Sequence, residues 1–290
     1  MSANAIQNDE APTALANNSA LSEKAFKGFQ KLIFDAAGIS MSAEKKPLIA
    51  SRLGKRIRVL NLVDYDGYYH YLTKGEGAGN GEMQRFVDLL TTNETYFYRE
   101  PQHFEYLSKH ILPRYNNGQP LRIWSAASSS GEEIYTMAMI IADSLGIDSN
   151  WEILGTDISI RMLESARQAI YSDYRVRLLP KHLRHRYMLK GKGKQQGYVA
   201  VAPEIRKHIR FEYYNLIESP PHASLFDVIF CRNVLIYFNK DTKQQVIQHL
   251  CKQLKNGCCL FTGHSESIHG MSNMLKAVSP SVYQKLGGAA

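Results

Sequence analysis

Two acidic residues, Glu132 and Glu133, follow a turn of small residues within the stretch 121–139, LRIWSAASSSGEEIYTMAM. Residues 122–126 have the pattern of a short strand, and the apolar residues of 134–141 repeat at helical spacing. In α/β sheets, such a turn lets a ligand approach the backbone and the start of the helix, which is where adenosine-containing ligands bind. The stretch therefore predicts a site for a nucleoside-like ligand.

The charges near this turn select among such ligands. A pyrophosphate site typically has G-x-G-x-x-G, whereas the turn here is SAASSSG, and carboxylates at the helix start would repel phosphate. S-adenosylmethionine carries an ammonium and a sulfonium but no phosphate, so it fits better. Asp157, which ends the strand-like run EILGTDI, is placed to accept hydrogen bonds from ribose hydroxyls. The alternative is a buried core strand followed by a solvated aspartate.

Strand-like and helix-like runs alternate from residue 121 onward, which predicts an α/β fold with a doubly wound sheet. The alternation breaks between residues 171 and 209, where YVAVAPEIRKHI suggests short antiparallel strands. We interpret this segment as a small antiparallel β-subdomain inserted into the sheet. The sheet resumes at 209–216 and 226–238, and runs at 258–262 and 281–286 predict that it ends in a hairpin.

The first part of the chain has a different pattern. Residues 1–20 show no periodicity and predict a disordered tail, whereas residues 21–82 predict a small all-α domain. The remaining residues, 83–290, would form the larger α/β domain. The predicted helix from Pro47 to about residue 60 carries cations on the face opposite its apolar arc: Arg52, Lys55, Arg56 and Arg58. This face is either an ordinary solvated surface or a docking surface for an acidic partner.

Composition narrows the class of protein. The net charge of +8 points to an acidic partner without choosing its kind. The four cysteines show no C-x-x-C spacing and the ten histidines are scattered, so we expect free thiols and no metal site. With no secretion signal and no apolar run long enough to insert into a membrane, the sequence predicts a cytoplasmic protein. Nothing in it demands more than a monomer.

Several motifs together resemble the CheR family, the chemotaxis protein-glutamate methyltransferases. They are TTNETYFYRE, WSAASSSGEE, GTDIS, the asparagine of FEYYNL, FDVIFCRNVLIYF and FTGHSES, and the resemblance extends from about residue 21 to residue 286. It implies a helical amino-terminal domain that docks on the receptor, a methyltransferase domain for S-adenosylmethionine, and an inserted β-subdomain. The implied activity is methyl transfer to glutamates on the cytoplasmic helices of chemoreceptors.

The resemblance also implies roles for individual residues. Arg99 would lie near the methionine end of the cofactor, Glu133 would face its amino acid portion, Asp157 would face its ribose, and Tyr237 would lie beside the transferred methyl group. The cofactor-binding residues it implies are Asn93, Thr95, Arg99, Glu133, Asp157, Asn215, Leu216, Asn233 and Val234. The basic helix would meet the acidic receptor helices.

The expected chemistry needs alignment rather than a general base. A glutamate with a pKa of about 4.3 is already a carboxylate at neutral pH. We expect Arg99 and Tyr237 to be the catalytic residues: Arg99 orients the incoming carboxylate or the carboxylate of the cofactor, and Tyr237 positions the acceptor. A nitrogen methyltransferase acting on nucleic acid or protein is the alternative that the positive charge supports, but the chain has CRNVLIYF where many such enzymes have a proline pair. A non-catalytic binding module is the third possibility, although the pocket residues are all present.

Overall fold

The computed structural model describes residues 20–220 and 224–287, so the predicted disordered tail lies outside the described residues except for its last position. The chain divides into two compact units. Of the described residues, the first unit comprises those up to Phe29 together with Ser42–Met83, and the second comprises Gln30–Met41 and those from Gln84 onward. Within the described ranges, no helix is both long and apolar enough to cross a membrane.

The first unit is helical. Helices α2 (Lys46–Val59) and α3 (Tyr65–Thr73) lie within it, whereas α1 (Glu23–Ala37) and α4 (Glu82–Leu90) have residues in both units. Pro47 lies in the first turn of α2, where a missing N–H costs nothing, and Asp64 caps α3 by accepting a hydrogen bond from the N–H of Gly67 at 2.8 Å. The apolar residues that α2 buries at helical spacing are Ile49, Leu53 and Ile57.

A buried carboxylate organises the polar interior of this unit. Glu82 accepts hydrogen bonds from Arg56 Nε at 2.8 Å, from Arg56 Nη2 at 2.5 Å and from the Tyr68 hydroxyl at 2.9 Å. The charge of Arg56, which we placed on the docking face, is thus paired within the unit. Lys55 and Arg58 are exposed and Arg52 is half-buried. The docking role of Arg52, Lys55, Arg56 and Arg58 stays a prediction, in which Arg56 is the member already paired with Glu82.

The second unit contains two sheets. In chain order, strands β1 to β10 are Leu121–Ser125, Trp151–Asp157, Ile170–Ser172, Met188–Lys190, Tyr198–Val201, Ile209–Tyr213, Phe226–Cys231, Leu254–Thr262, Leu275–Ser279 and Val282–Lys285. The larger sheet has seven strands in the order β6-β2-β1-β7-β8-β10-β9. It is parallel from β6 to β8, and β10 runs antiparallel to both of its neighbours. This confirms the predicted α/β fold and its terminal hairpin.

The smaller sheet is antiparallel and has the order β3-β5-β4, which confirms the inserted β-subdomain. The remaining helices, α5 to α10, are Pro101–Tyr106, Glu132–Leu145, Ile160–Gln168, Lys181–Tyr187, Pro203–Arg206 and Lys240–Gln253. One boundary differs from the sequence pattern: Gly257, which resembles a helix stop, lies inside β8. Its positive φ of 76° instead accommodates an irregularity in the pairing of β8 with β7.

Strand β1 lies inside the sheet, between β2 on one side and β7 on the other, and the chain continues from it to both sides. Its Trp124 is fully buried, and the indole N–H donates to Thr156 Oγ1 of β2 at 2.9 Å. The carboxyl ends of β1, β2 and β7 therefore meet at the point where the strand order reverses. In open α/β sheets, ligands bind at this point.

The Arg56–Glu82 pair generates a stability prediction. Replacing Glu82 with Ala should lower the free energy of unfolding by about 2 kcal/mol, because Arg56 and the Tyr68 hydroxyl lose their acceptor; Arg56 stays 22% exposed, which limits the loss. The control is Lys55→Ala, on the exposed face of α2. It should change the free energy of unfolding by less than about 0.5 kcal/mol. Urea unfolding followed by circular dichroism measures both. Equal effects would contradict the structural role of the pair.

Candidate active site

The small-residue turn after β1 is tied to both neighbouring strands. Ala126 N–H donates to the Phe230 carbonyl at 2.8 Å, and Ser128 N–H donates to the Thr156 carbonyl at 2.9 Å. Gly131, which precedes α6, has a φ of 94°, and a Cβ there would lie 3.0 Å from the Tyr171 hydroxyl. The turn is therefore held close against the sheet, and its small side chains leave the backbone accessible to a ligand.

Asp157 ends β2 beside this turn. Its Oδ2 accepts a hydrogen bond from Ser129 N–H at 2.8 Å, and its Oδ1 accepts one from Ser159 N–H at 2.9 Å. Burial raises the pKa of Asp157 to about 6, although these two N–H groups favour the ionised form. An ionised carboxylate has about four acceptor sites, so Asp157 keeps acceptor capacity for ribose hydroxyls beyond its backbone contacts.

Glu133 lies in the first turn of α6 with both carboxylate oxygens engaged. Oε1 accepts a hydrogen bond from Ser125 Oγ at 2.8 Å, and Oε2 accepts one from Arg232 Nη1 at 2.8 Å. These contacts join the start of α6 to the ends of β1 and β7. They hold a carboxylate at the helix start, where the sequence predicts contact with the amino acid portion of the cofactor.

Arg232 is a residue of this site that the sequence analysis missed. Its side chain is 1% exposed, Nη2 donates to the Arg99 carbonyl at 2.6 Å, and Nη2 also lies 3.0 Å from Glu100 Oε2. A charge directly after the buried strand FDVIFC was the available signal, because a buried cation must be paired. Its partner Glu133 is 99 positions away, so the sequence did not identify the pair.

Residues 93–100 lie along the small-residue turn. Ser129 Oγ donates to the Asn93 carbonyl at 3.3 Å, and Arg175 Nη2 donates to the Thr95 carbonyl at 3.1 Å. Tyr98 and Glu100 adopt positive φ values of 63° and 59°. Such backbone conformations persist only where surrounding contacts fix them. The structure thus brings the predicted Asn93 and Thr95 next to the turn that leads to Glu133.

The loop after β7 is fixed by a second buried acid. Glu266 Oε2 accepts hydrogen bonds from Asn233 N–H at 2.6 Å and Gly263 N–H at 2.7 Å, and Oε1 accepts one from Ile236 N–H at 3.2 Å. Asn233 has a φ of 58°, and its Nδ2 donates to Glu100 Oε1 at 3.1 Å. Glu266, of the motif FTGHSES, therefore shapes the loop that carries the predicted Asn233 and Val234.

The two predicted catalytic residues lie near each other. The Tyr237 hydroxyl is hydrogen-bonded to the side chain of Thr92; burial raises the pKa of Tyr237, and the positive charge of Arg99 acts in the opposite direction. Arg99 Nη1 donates to the Glu94 carbonyl at 2.8 Å. The Tyr237 carbonyl accepts a hydrogen bond from Ser40 N–H at 2.8 Å, which ties this loop to the segment after α1.

Asn215 and Leu216 follow β6, and both are buried. Asn215 Nδ2 donates to the Ala36 carbonyl at 2.8 Å, and its Oδ1 lies 3.4 Å from Ile217 N–H. The amide side chain of Asn215 is thus engaged with the protein itself. Contact of these two residues with the cofactor stays a prediction.

Glu100, His103 and His264 bring three possible metal ligands within 4.8 Å of one another, a cluster that the scattered histidines did not suggest. Burial lowers the pKa of His103 to about 3, so its ring is neutral. Glu100 Oε2, however, already lies 3.0 Å from Arg232 and accepts a hydrogen bond from His264 N–H at 3.2 Å. The carboxylate is therefore committed to the network around Arg232.

The groups at this edge fit S-adenosylmethionine. Asp157 offers acceptors for two hydroxyls, and Glu133 offers a carboxylate for an ammonium. The small-residue turn allows the ligand close to the backbone, and its two flanking acids would disfavour a phosphate. The acceptor groups at this edge thus suit a nucleoside that carries a positive charge.

The raised pKa of Asp157 predicts a pH dependence. Below about pH 6 the protonated carboxyl loses its charge, so kcat/KM for S-adenosylmethionine should fall as the pH drops through this value. In Asp157→Asn, kcat/KM should be low and should lack this inflection. Initial rates between about pH 5 and pH 8 measure the pH profile of kcat/KM for both proteins. A wild-type profile that is flat through pH 6 would contradict the assignment.

Arg232 generates a second prediction. Arg232→Met should lower kcat/KM about a hundredfold, because Glu133 and the turn at Arg99 lose their common partner and misalign. Arg232→Lys should lose about tenfold, since one ammonium does not reproduce the fork of a guanidinium. Arg210→Lys, at an arginine whose side chain is 63% exposed, is the control. Steady-state kinetics measure all three, and wild-type rates for Arg232→Met would refute the role.

Comparisons with known proteins agree with this geometry. Residues 24–91 match the family model described as CheR methyltransferase, all-alpha domain, and residues 93–284 match CheR methyltransferase, SAM binding domain. The chain is 37% identical to a chemotaxis protein methyltransferase of Salmonella typhimurium over 90% of this chain and 88% of that relative. It is 36% identical to the chemotaxis protein methyltransferase of Escherichia coli over 91% of each chain.

A further relative, chemotaxis protein methyltransferase 2 of Pseudomonas aeruginosa, is 36% identical over 89% of this chain and 91% of its own length. The two family models together cover most of both units, and the second covers the segments that carry Glu133, Asp157 and Asn233. The predicted cofactor, S-adenosylmethionine, is confirmed by the second model. The chain belongs to the CheR family of S-adenosylmethionine-dependent methyltransferases.

Proposed function

We propose that this enzyme methylates glutamate side chains on the cytoplasmic helices of chemoreceptors and forms glutamate methyl esters. The observation that carries the proposal is the match of the chain to both CheR family models, and Arg99 and Tyr237 add the groups that would orient the acceptor. Burial raises the pKa of the Tyr237 hydroxyl, and the positive charge of Arg99 acts against this shift. A cation and a neutral hydroxyl suit an acceptor that is already an anion. The printed names of the relatives, chemotaxis protein methyltransferases, support the same assignment.

The proposed cofactor-binding roles follow from the contacts of each residue. Asp157 accepts hydrogen bonds from the ribose hydroxyls, and Glu133 binds the ammonium of the amino acid portion. Asn93 and Thr95 form the wall opposite the small-residue turn. The other residues that we assign to the pocket are Asn215, Leu216, Asn233 and Val234.

The reaction needs orientation rather than deprotonation. The cofactor, when bound, supplies a methyl group on a sulfonium, which is electrophilic without further activation. Arg99 attracts the acceptor carboxylate, which is ionised at neutral pH. Tyr237 stays protonated because burial raises its pKa, so its hydroxyl can donate a hydrogen bond to one carboxylate oxygen. Alignment of this kind can lower the activation barrier by several kcal/mol, as it does in a well-oriented intramolecular reaction.

Docking of the substrate is assigned to the first unit. Lys55 and Arg58 are exposed on α2 and line a surface groove of about 330 Å³ together with Gly54 and Tyr65. Together with Arg52 they would attract an acidic helix. We propose further that the reaction takes place in the cytoplasm, without nucleic acid or membrane insertion, and that the enzyme is a monomer.

Nitrogen methylation of nucleic acid or protein is the second candidate, and the net charge of +8 is the observation that favours it. Many enzymes of that kind grip a planar nitrogen with a proline-containing turn after the fourth strand of the sheet. The loop CRNVLIYF after β7 has no proline. The two candidates differ in the stability of the product, because a carboxyl methyl ester is cleaved by mild base and an N-methyl group is not.

The protein should therefore transfer label from methyl-labelled S-adenosylmethionine to chemoreceptor-containing membranes, and mild base should release it as volatile methanol. Arg99→Ala should lower the rate about a hundredfold and Tyr237→Phe about tenfold, since each removes one orienting contact. Base-stable label would establish nitrogen methylation instead. Unchanged turnover in both variants would refute the proposed roles of these residues.

The same assay tests docking. Reversing two exposed charges together, Lys55→Glu with Arg58→Glu, should raise KM for the receptor about tenfold through like-charge repulsion. KM for S-adenosylmethionine should not change, because neither residue belongs to the proposed cofactor pocket. Lys31→Glu, a single charge reversal at an exposed position on α1, is the control and should leave KM for the receptor unchanged. A receptor KM equal to that of the wild type would show that α2 is not the docking surface.

A further inference from the structure

The inserted β-subdomain contributes a cation to the edge of the cofactor pocket. Arg175 lies in a 3-10 turn, Asp173–Val176, directly after β3. Its Nη2 donates to the Thr95 carbonyl at 3.1 Å and lies 2.9 Å from Glu132 Oε1. The guanidinium thus bridges the segment 93–97 and the start of α6, which are the two walls of the proposed pocket.

Glu132 depends on this cation. The side chain is fully buried, and its Oε2 accepts a hydrogen bond from Ser130 Oγ at 2.7 Å. Burial raises the pKa of Glu132, and the positive charge of Arg175 acts against that shift. A buried carboxylate without a cation is strongly disfavoured, so the ion pair fixes the first turn of α6 and with it the neighbouring Glu133.

A second residue of the subdomain reaches the same two walls. Tyr171, in β3, donates its hydroxyl proton to the Ser130 carbonyl at 2.7 Å. Its ring packs edge to face on Phe97, with centroids 4.9 Å apart. The contacts of Tyr171 are independent of those of Arg175, yet they join the same pair of segments. The subdomain is therefore packed against the pocket at two points.

We propose that Arg175 is a positioning residue for cofactor binding, through which the inserted β-subdomain holds the segment 93–97 against the start of α6. The inference rests on the proposed location of the cofactor between these walls. Loss of the guanidinium frees the Thr95 carbonyl and leaves Glu132 unpaired, so the two walls separate. By thermodynamic reciprocity, the bound cofactor stabilises the subdomain.

Calorimetric titration with S-adenosylmethionine tests the proposal. Arg175→Met should raise Kd about tenfold, with KM for the cofactor rising in parallel and kcat at saturation staying within about twofold, because Arg175 shapes the pocket without touching the acceptor. Arg175→Lys should give a smaller increase, since its ammonium can pair with Glu132. Arg177→Met is the matched control: Arg177 lies at the end of the same turn, with its guanidinium 4.0 Å from the Tyr174 ring centre. Arg177→Met should bind S-adenosylmethionine with the same Kd as the wild type.

Hydrogen exchange supplies a readout that does not depend on activity. The cofactor should protect the amides of residues 170–176 in the wild type and in Arg177→Met, and should protect them much less in Arg175→Met. If Arg175→Met does not fold, the double variant Arg175→Met with Glu132→Gln removes the unpaired buried charge and should fold, yet still bind weakly because Thr95 has lost its donor.

The outcomes separate this inference from the proposed function. A wild-type protein that binds no S-adenosylmethionine would defeat both. A wild type that binds, together with an Arg175→Met Kd within twofold of it, would overturn the positioning role alone. A loss of kcat at saturation with an unchanged Kd would also overturn it.

Discussion

The buried guanidinium of Arg232 is the constraint on which the proposed site depends. It lies at the end of the central strand β7 and is held by Glu133, by Glu100 and by the Arg99 carbonyl. These partners belong to two separate segments, so one side chain fixes the start of α6 relative to the turn that presents Arg99. Two carboxylates surround a single guanidinium, and this excess of negative charge suits a cationic cofactor.

Other charged side chains of the site also connect separate segments of the chain. Glu266 gathers the N–H groups of the loop after β7, Asp157 caps the turn after β1, and Arg175 pairs with Glu132. Glu266, Asp157 and Glu132 are buried, and each of the charged groups joins segments distant in sequence. Because removing one partner leaves the other charge buried and unpaired, the network tolerates few arrangements. Rigidity of this kind is what a reaction governed by alignment requires.

The fold and the cofactor class could be predicted from the sequence because their signals are local. Alternating strands and helices, the turn SAASSSG and the acids at 133 and 157 lie within short stretches. The partners of buried charges could not be predicted in this way. Arg56 resembled a solvated cation until the fold brought Glu82 to it, and Arg232 and Arg175 find their carboxylates only through the tertiary structure. Gly257 resembled a helix stop because the local sequence does not reveal the pairing of β8 with β7.

A crystal structure of the enzyme with the product S-adenosylhomocysteine tests the central claim most directly. We expect the ribose hydroxyls at Asp157 and the amino group at Glu133, with the contacts of Arg232 to Glu133 and Glu100 retained. The sulfur should face the side of the pocket where Arg99 and Tyr237 lie. A ligand bound away from the carboxyl ends of β1 and β2, or a Glu133 carboxylate turned away from it, would contradict this account.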